Sequence, residues 1–371
     1  AVAVFTKVDA TRRLEIQIRV KDGTVIARVI YDAKQWVDAM TEAGQNFENF
    51  KIEGDIDLTN YARAGKLPMG LKINSLTGGS KSGGEKYTIS GGNVSYSTSS
   101  PAESMFTTIS GGIRNLRFAN ITLDNGTKAG TNFGLIASNQ GTIDNCEFES
   151  IKLSGYQASQ VGMIGSNSGS VTNIRLKNIN VSTTASMNYV GGLIGYNTGT
   201  VKHVEAEGDE VNYTSMEDMP SGSLFHYQVT AASGSYVGGI IGITKTAVSD
   251  LSIKGAYVKG SSYTGGIAGQ IAPAVVTENI TVGESGYPVY ISGSSRTAGV
   301  GYHDRSGSTD TGYLKNAKVR YTYISGGSYT SGVIMGDWYY YVQNALVDHC
   351  YIKGTGGETH GTTGSGTGVQ Q

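Results

Sequence analysis

The chain is predicted to be all-β, a right-handed parallel β-helix of about eight or more stacked coils with a short N-terminal capping helix. Three observations predict it. A Gly-bracketed apolar core recurs along the chain, and an eleven-residue apolar pattern alternates with it. The composition, with 54 Gly but only 5 Pro in 371 residues and 16% charged residues, suits many short strands joined by tight turns. It suits neither a helical bundle nor a Pro-rich disordered chain.

Residues 1–30 come first, as a β-hairpin segment or the end of a preceding domain. Leu14 to Ile30 alternates around Lys21-Asp-Gly23, a hairpin signal. Residues 31–100 hold the capping helix and irregular first coils. Asp32 to Gly44 reads as the helix: Asp32 and Gln35 resemble a capping box, Trp36, Val37 and Met40 make an apolar stripe, and Gly44 follows the last turn. Such a helix can cover the open end of a solenoid, where strand edges and apolar ranks are otherwise exposed.

The repeats occupy 101–354. The Gly-bracketed core is clearest as Gly191-Gly-Leu-Ile-Gly195 and Gly238-Gly-Ile-Ile-Gly242, and its leading glycines are 134, 162, 192, 239, 266, 299 and 332. Their spacing stays between 27 and 33 residues, except for 47 between Gly192 and Gly239. The eleven-residue segment is apolar at positions 1, 4, 6, 9 and 11, as in Ile143/Cys146/Phe148/Ile151/Leu153 and Val171/Ile174/Leu176/Ile179/Val181. Within it, 4/6 and 9/11 alternate with the period of a strand, and the three-residue step between 6 and 9 predicts a bend. With the Gly-bracketed strand this gives three strands per coil, whose apolar ranks are buried only by stacking. Position 3 holds Asn115, Asn145, Asn173, His203, Asp250, Asn279, Asn316 and Asn344. These form either a stacked amide ladder or a local Asx-turn in each coil. The linking turn repeats as Asn139-Gln-Gly-Thr142, Asn167-Ser-Gly-Ser170 and Asn197-Thr-Gly-Thr200. A Gly/Thr-rich tail, 355–371, reads as a linker or disordered end.

These residues resemble the GLUG-repeat family of bacterial surface proteins, through the core Gly192-Leu-Ile-Gly195 and through Gly54-Asp-Ile-Asp-Leu58, which follows the helix Ala33 to Ala43 and leads into Ile113-Arg-Asn115 and Ile143-Asp-Asn145. The resemblance implies extracellular spacer or adhesin domains, some attached to fimbrial subunits or surface enzymes, and it transfers no catalytic residue.

The chemistry fits that picture. A net charge of −1 offers no field to steer nucleic acid. Cys146 and Cys350 fall on apolar positions and read as buried, free and inert, and no metal or cofactor is expected. No apolar run is long enough to span a membrane, so membrane contact is expected only through a removed anchor or a partner domain. A lyase or hydrolase would need clustered carboxylates. The candidates are Asp144, Glu147 and Glu149 in one coil and His203, Glu205 and Glu207 in the next, and a solvated strand face is the plainer reading. His303-Asp304-Arg305 reads as a surface loop.

Two features point to binding. The insertion from about Asn212 to Tyr236 accounts for the 47-residue spacing and carries Tyr213, Phe225 and Tyr227. A turn reads Asp337-Trp338-Tyr339-Tyr340-Tyr341. Aromatic loops on a rigid scaffold bind sugars and protein partners, or else pack back onto the rod. The expected function is thus an extracellular or cell-surface adhesin-like module, taking a host or community glycan or a surface protein. A carbohydrate-active enzyme and a non-binding spacer are the alternatives.

Overall fold

The computed structural model describes residues 2–5, 16–19, 27–94, 104–126, 130–184, 188–219, 222–232, 235–304, 312–336, 340–356, 358–361 and 368–369. The chain winds as a right-handed parallel β-helix of about nine turns with two short helices. At the usual inter-strand spacing of nearly 5 Å, nine turns make a rod roughly 40 Å long. The walls are a 22-stranded sheet with two strands in most coils, a nine-stranded sheet and an eight-stranded sheet.

One coil shows the build. Ala158–Val161 lies in the eight-stranded sheet, Ile164–Asn167 and Ser170–Lys177 in the large sheet, and Asn180–Thr183 in the nine-stranded sheet. A coil therefore has four strands, not three. The Gly-bracketed core is a bend between two strands. Its glycines are required by close approach rather than by φ: a Cβ on Gly192 would stand 2.3 Å from the Gly239 carbonyl oxygen of the next coil and 2.2 Å from Tyr227 Oη.

The eleven-residue segment bends twice. Position 3 takes left-handed φ in every coil from Asn115 (54°) to Asn344 (54°), His203 and Asp250 included. Position 8 does so at Asn120, Ser150, Asn178, Tyr321 and His349. L-residues avoid this region, and Asn tolerates it best of the non-glycines.

Position 3 also forms an amide ladder. Asn344 Nδ2 donates to Asn316 Oδ1 (3.1 Å), Asn316 to Asn279 (3.0 Å) and Asn279 to Asp250 Oδ1 (2.9 Å). Asn145 donates to Asn115 (3.2 Å), while Asn173 turns to Asp144 Oδ1 (2.8 Å). A second ladder runs through the linking turns and is fully buried. There Asn139 Nδ2 donates to Asn167 Oδ1 and Asn167 Nδ2 to Asn197 Oδ1, both at 2.7 Å, and Asn197 Nδ2 reaches Thr244 Oγ1 at 3.1 Å.

At the N-terminal end α1 (Ala33–Ala43) is capped by the Asp32 carboxylate, which accepts from Gln35 N at 2.9 Å, and Gly44 closes it. Trp36, Met40 and Ala43 are buried, and Trp36 meets Phe106 edge-on at 6.3 Å. Phe106, Phe118 and Phe148 continue as a ring column into the core.

The ends differ from expectation. Ile16–Arg19 pairs antiparallel with Val2–Phe5, whereas Ala27–Ile30 joins the large sheet parallel to Asn49–Ile52. The expected hairpin strands thus lie near each other without pairing, because the edge of the parallel sheet supplies backbone partners to Ala27–Ile30. In the tail read as a linker, Glu358–His360 extends the eight-stranded sheet beside Tyr329–Ser331, and Gly368–Val369 pairs with Tyr341–Val342.

Candidate ligand-binding surface

Tyr227 and Phe225, expected as ligand contacts, are packing residues. Tyr227 opens the strand Tyr227–Ala231 and faces the core, fully buried, with its hydroxyl donating to the Gly239 carbonyl at 2.8 Å; burial holds its phenol pKa up. The insertion thus ends before it, and Tyr236 belongs to the next strand, Tyr236–Gly238. Period-two alternation, resumed after an irregular stretch, sends Tyr227 inward.

Phe225 is buried against Tyr257 at 6.0 Å. It belongs to an arm, residues 209–219 and 222–226, that lies on the nine-stranded sheet. Underneath runs a tyrosine ladder on consecutive coils: Tyr257–Tyr290 (5.3 Å), Tyr290–Tyr323 (4.5 Å) and Tyr323–Tyr351 (5.3 Å). Val211, Met219 and Phe225 cover it, leaving Tyr257 and Tyr323 each 9% exposed. Tyr351 Oη donates to Glu217 at 3.2 Å, and Asp209 Oδ2 meets His226 Nδ1 at 2.6 Å across the base of the arm. Tyr213 is half-buried, and its phenol pKa is raised by burial and by Tyr321 nearby.

Of the other aromatic group, Trp338 and Tyr339 lie outside the described residues, as does Asp337. Tyr340 begins the strand Tyr340–Asp348, and Tyr341 stacks on Tyr313 at 5.4 Å.

The candidate acids form a charge ladder. Strands Thr142–Glu149 and Thr200–Glu207 are separated by Ser170–Lys177, so the two groups lie two coils apart, not in successive coils. The register alternates the signs, Glu147–Arg175–Glu205 and Glu149–Lys177–Glu207. Lys86 pairs with Glu147, Arg117 with Glu149, and Arg175 with Glu207 at 3.4 Å. His303 is not in a surface loop: it is buried at the end of the strand Gly301–His303. Cys146 is buried and its thiol pushed up to about 12 by burial. Cys350 is half-buried and also raised by burial, and both are free.

A different surface brings aromatic and polar groups together, on the outside of the corner between the eight-stranded and the large sheet. Backbone register aligns Asn132, Gln160, Tyr189, Tyr236, Tyr263, Arg296 and Tyr329 on successive coils. Tyr189–Tyr236 are 5.3 Å apart, and Tyr236–Tyr263 are parallel at 4.5 Å. The Arg296 guanidinium carbon stands 5.3 Å from the ring centres of Tyr263 and Tyr302 and 5.4 Å from that of Tyr329. The adjoining row, Ile243, Gln270, Tyr302 and Met335, is buried and forms the floor. Gln270 Nε2 donates to Asp304 Oδ2 at 2.7 Å. The ladder residues themselves stay half-exposed, and Tyr329 is 36% exposed. From Tyr189 to Tyr329 the strip crosses five coils, about 19 Å at the usual strand spacing.

This strip escaped the sequence reading, although a signal existed. In five coils one residue stands three before the leading glycine: Tyr189, Tyr236, Tyr263, Arg296 and Tyr329. The residue lies outside the apolar pattern that marks the core.

No helix of the described residues is long and apolar enough to cross a membrane, and those residues hold no group of three or more metal-type ligands. No protein-family model matches the chain, and no curated protein matches it. Among solved structures the chain is similar to one described as a "putative immunoglobulin A1 protease from Bacteroides ovatus", at 19% identity and a TM-score of 0.41, over 91% of this chain and 84% of that one.

Proposed function

We propose that the chain is an adhesin-like module of the GLUG-repeat type, working outside the cell, whose rod holds an extended glycan along the Tyr189–Tyr329 strip. The observation that carries this reading is a row of half-exposed tyrosines on consecutive coils, flanked by Arg296, Gln270 and Asp304. Rings beside planar polar groups are what a sugar polymer needs: apolar contact at low entropic cost, and directional donors and acceptors to fix the hydroxyls. The coil repeat presents these groups along a line, so a linear polymer gains contact with each successive coil. The strip is also rigid, since every residue in it sits on a paired strand.

The test is a glycan array with the intact protein beside a Tyr236→Ala, Tyr263→Ala variant, with circular dichroism to establish that both are folded. The expected result is binding to extended glycans that falls at least about tenfold in the folded variant, since aromatic anchors dominate such contacts. Binding unchanged in the variant, or no glycan bound by the intact protein, overturns the reading.

A further inference from the structure

We infer that the strip takes an anionic glycan, one bearing carboxylate or sulfate groups, with Arg296 as the group that recognises the charge. The inference rests on the glycan-binding reading above and adds to it the class of ligand.

Tyr236 and Tyr263 are parallel at 4.5 Å, so their facing sides cover each other, and both residues remain half-exposed. An aromatic ring is negative on its face and positive at its edge. This pair therefore shields part of its ring faces, and its edges and phenol donors suit electron-rich atoms beside the apolar contact the row offers a sugar.

Arg296 continues the ladder where a fourth tyrosine would stand, between Tyr263 and Tyr329 in the register. Three ring centres lie within 5.4 Å of its guanidinium carbon, an arrangement that holds a cation in place while shedding part of its water. Of its five N–H donors, the described contacts engage one, from Nη1 to Tyr263 Oη at 3.3 Å. Among the described residues it has no carboxylate partner. The acid nearby, Asp304, accepts from Gln270. A guanidinium fixed by rings, with its remaining donors unengaged by acids among the described residues, matches the two-oxygen edge of a carboxylate or sulfate. The whole chain carries a net charge of only −1, so a preference for anions here is local and not a general attraction to polyanions.

The test uses matched pairs of polymers in which only the charge differs: galacturonate oligomers against their methyl esters, and dextran sulfate against dextran. Binding is measured calorimetrically in physiological salt for the intact protein and for Arg296→Gln and Arg296→Lys. The expected result is a preference of about tenfold or more for a charged member over its neutral partner, the size of one charge-assisted hydrogen-bonded contact. Arg296→Gln should abolish that preference, lowering the affinity for the charged member by more than that for the neutral one, and Arg296→Lys should keep part of it, as a point charge without the planar fork. Equal binding of charged and neutral members overturns the inference and leaves the glycan reading standing. A preference that survives in Arg296→Gln overturns the assignment to this residue. If the intact protein binds none of these polymers, the inference fails, and the glycan array decides separately whether the wider reading fails with it.

Discussion

Asn167→Ala should be among the most damaging single changes to a small polar residue in the rod. Its amide is fully buried, donating to Asn197 Oδ1 and accepting from Asn139 Nδ2, both at 2.7 Å. Alanine removes both bonds and leaves groups on two neighbouring coils to find partners without water. Each keeps one weaker contact, Asn139 Nδ2 to the Gly141 carbonyl at 3.2 Å and Gly199 N to Asn197 Oδ1 at 3.2 Å, so neither is wholly orphaned. A buried hydrogen bond is worth about 1 kcal/mol net, and a group left unsatisfied costs roughly 1–3 kcal/mol. The expected loss is about 2–4 kcal/mol. Because a solenoid is stabilised by nearest-neighbour interfaces, the loss should be concentrated in the coils of Asn139, Asn167 and Asn197. Urea unfolding followed by circular dichroism gives the total, and amide hydrogen exchange gives the location. A loss under about 0.5 kcal/mol, the scale of an ordinary surface substitution, would refute the reasoning. So would faster exchange spread evenly along the rod.

Two further outcomes follow from the bends and the charges. At the exposed ladder position 173, with φ of 55°, Asn173→Ala should cost about 1 kcal/mol more than Asn173→Gly, since both lose the same bond to Asp144 and only alanine resists left-handed backbone; equal losses in urea midpoint would assign the role to the bond instead. The Asp209 pKa is lowered by the Asn178 amide and by His226, and that of Asp250 by the Asn279 and Ser249 side chains. A depressed carboxylate contributes stability that is present above its unfolded value, about 3.9, and lost as pH falls through its folded value. Stability should therefore hold from neutral pH to about 5 and decline below about 4, less steeply in Asp209→Asn; a urea midpoint that is flat down to pH 3 would contradict this.

The parts legible in the sequence are those decided locally. The cap of α1 is written in Asp32, Gln35 and Gly44 because helix ends are closed by residues within one turn. The bend between positions 6 and 9 shows because an extra residue breaks a period of two, and left-handed φ at Asn120, Ser150 and Asn178 is the backbone form of that break. Position 3 was visible as a polar residue, but its φ was not, since Asn serves equally in a turn or a ladder. The split of the Gly-bracketed core into two strands was hidden, because what glycine permits there is contact with the next coil, some 30 residues on. Tyr227 illustrates the harder case. Its inward turn depends on where an irregular arm hands the chain back to the sheet, and the neighbours that settle this, Gly192 and Gly239, lie in adjacent coils. The aromatic strip was hidden by the same non-locality: Tyr189 and Tyr236 are 47 residues apart in sequence and 5.3 Å apart in space.

The two tyrosine ladders of the rod argue for function by their contrast. On the nine-stranded sheet the chain lays an arm over Tyr257, Tyr290 and Tyr323, although ordering such a segment costs conformational entropy at every residue. On the eight-stranded sheet the chemically similar row from Tyr189 to Tyr329 has no such arm among the described residues. Nor does the coil geometry demand rings there, since Asn132 and Gln160 occupy the same row in earlier coils and pair in the same register. A position that accepts a polar side chain in two coils and holds four tyrosines and an arginine in the next five is not explained by packing alone. Open aromatic surface in water is a liability unless something covers it. That the chain covers one ladder while, among the described residues, nothing lies over the other is the physical ground for the proposal that the second ladder takes a ligand.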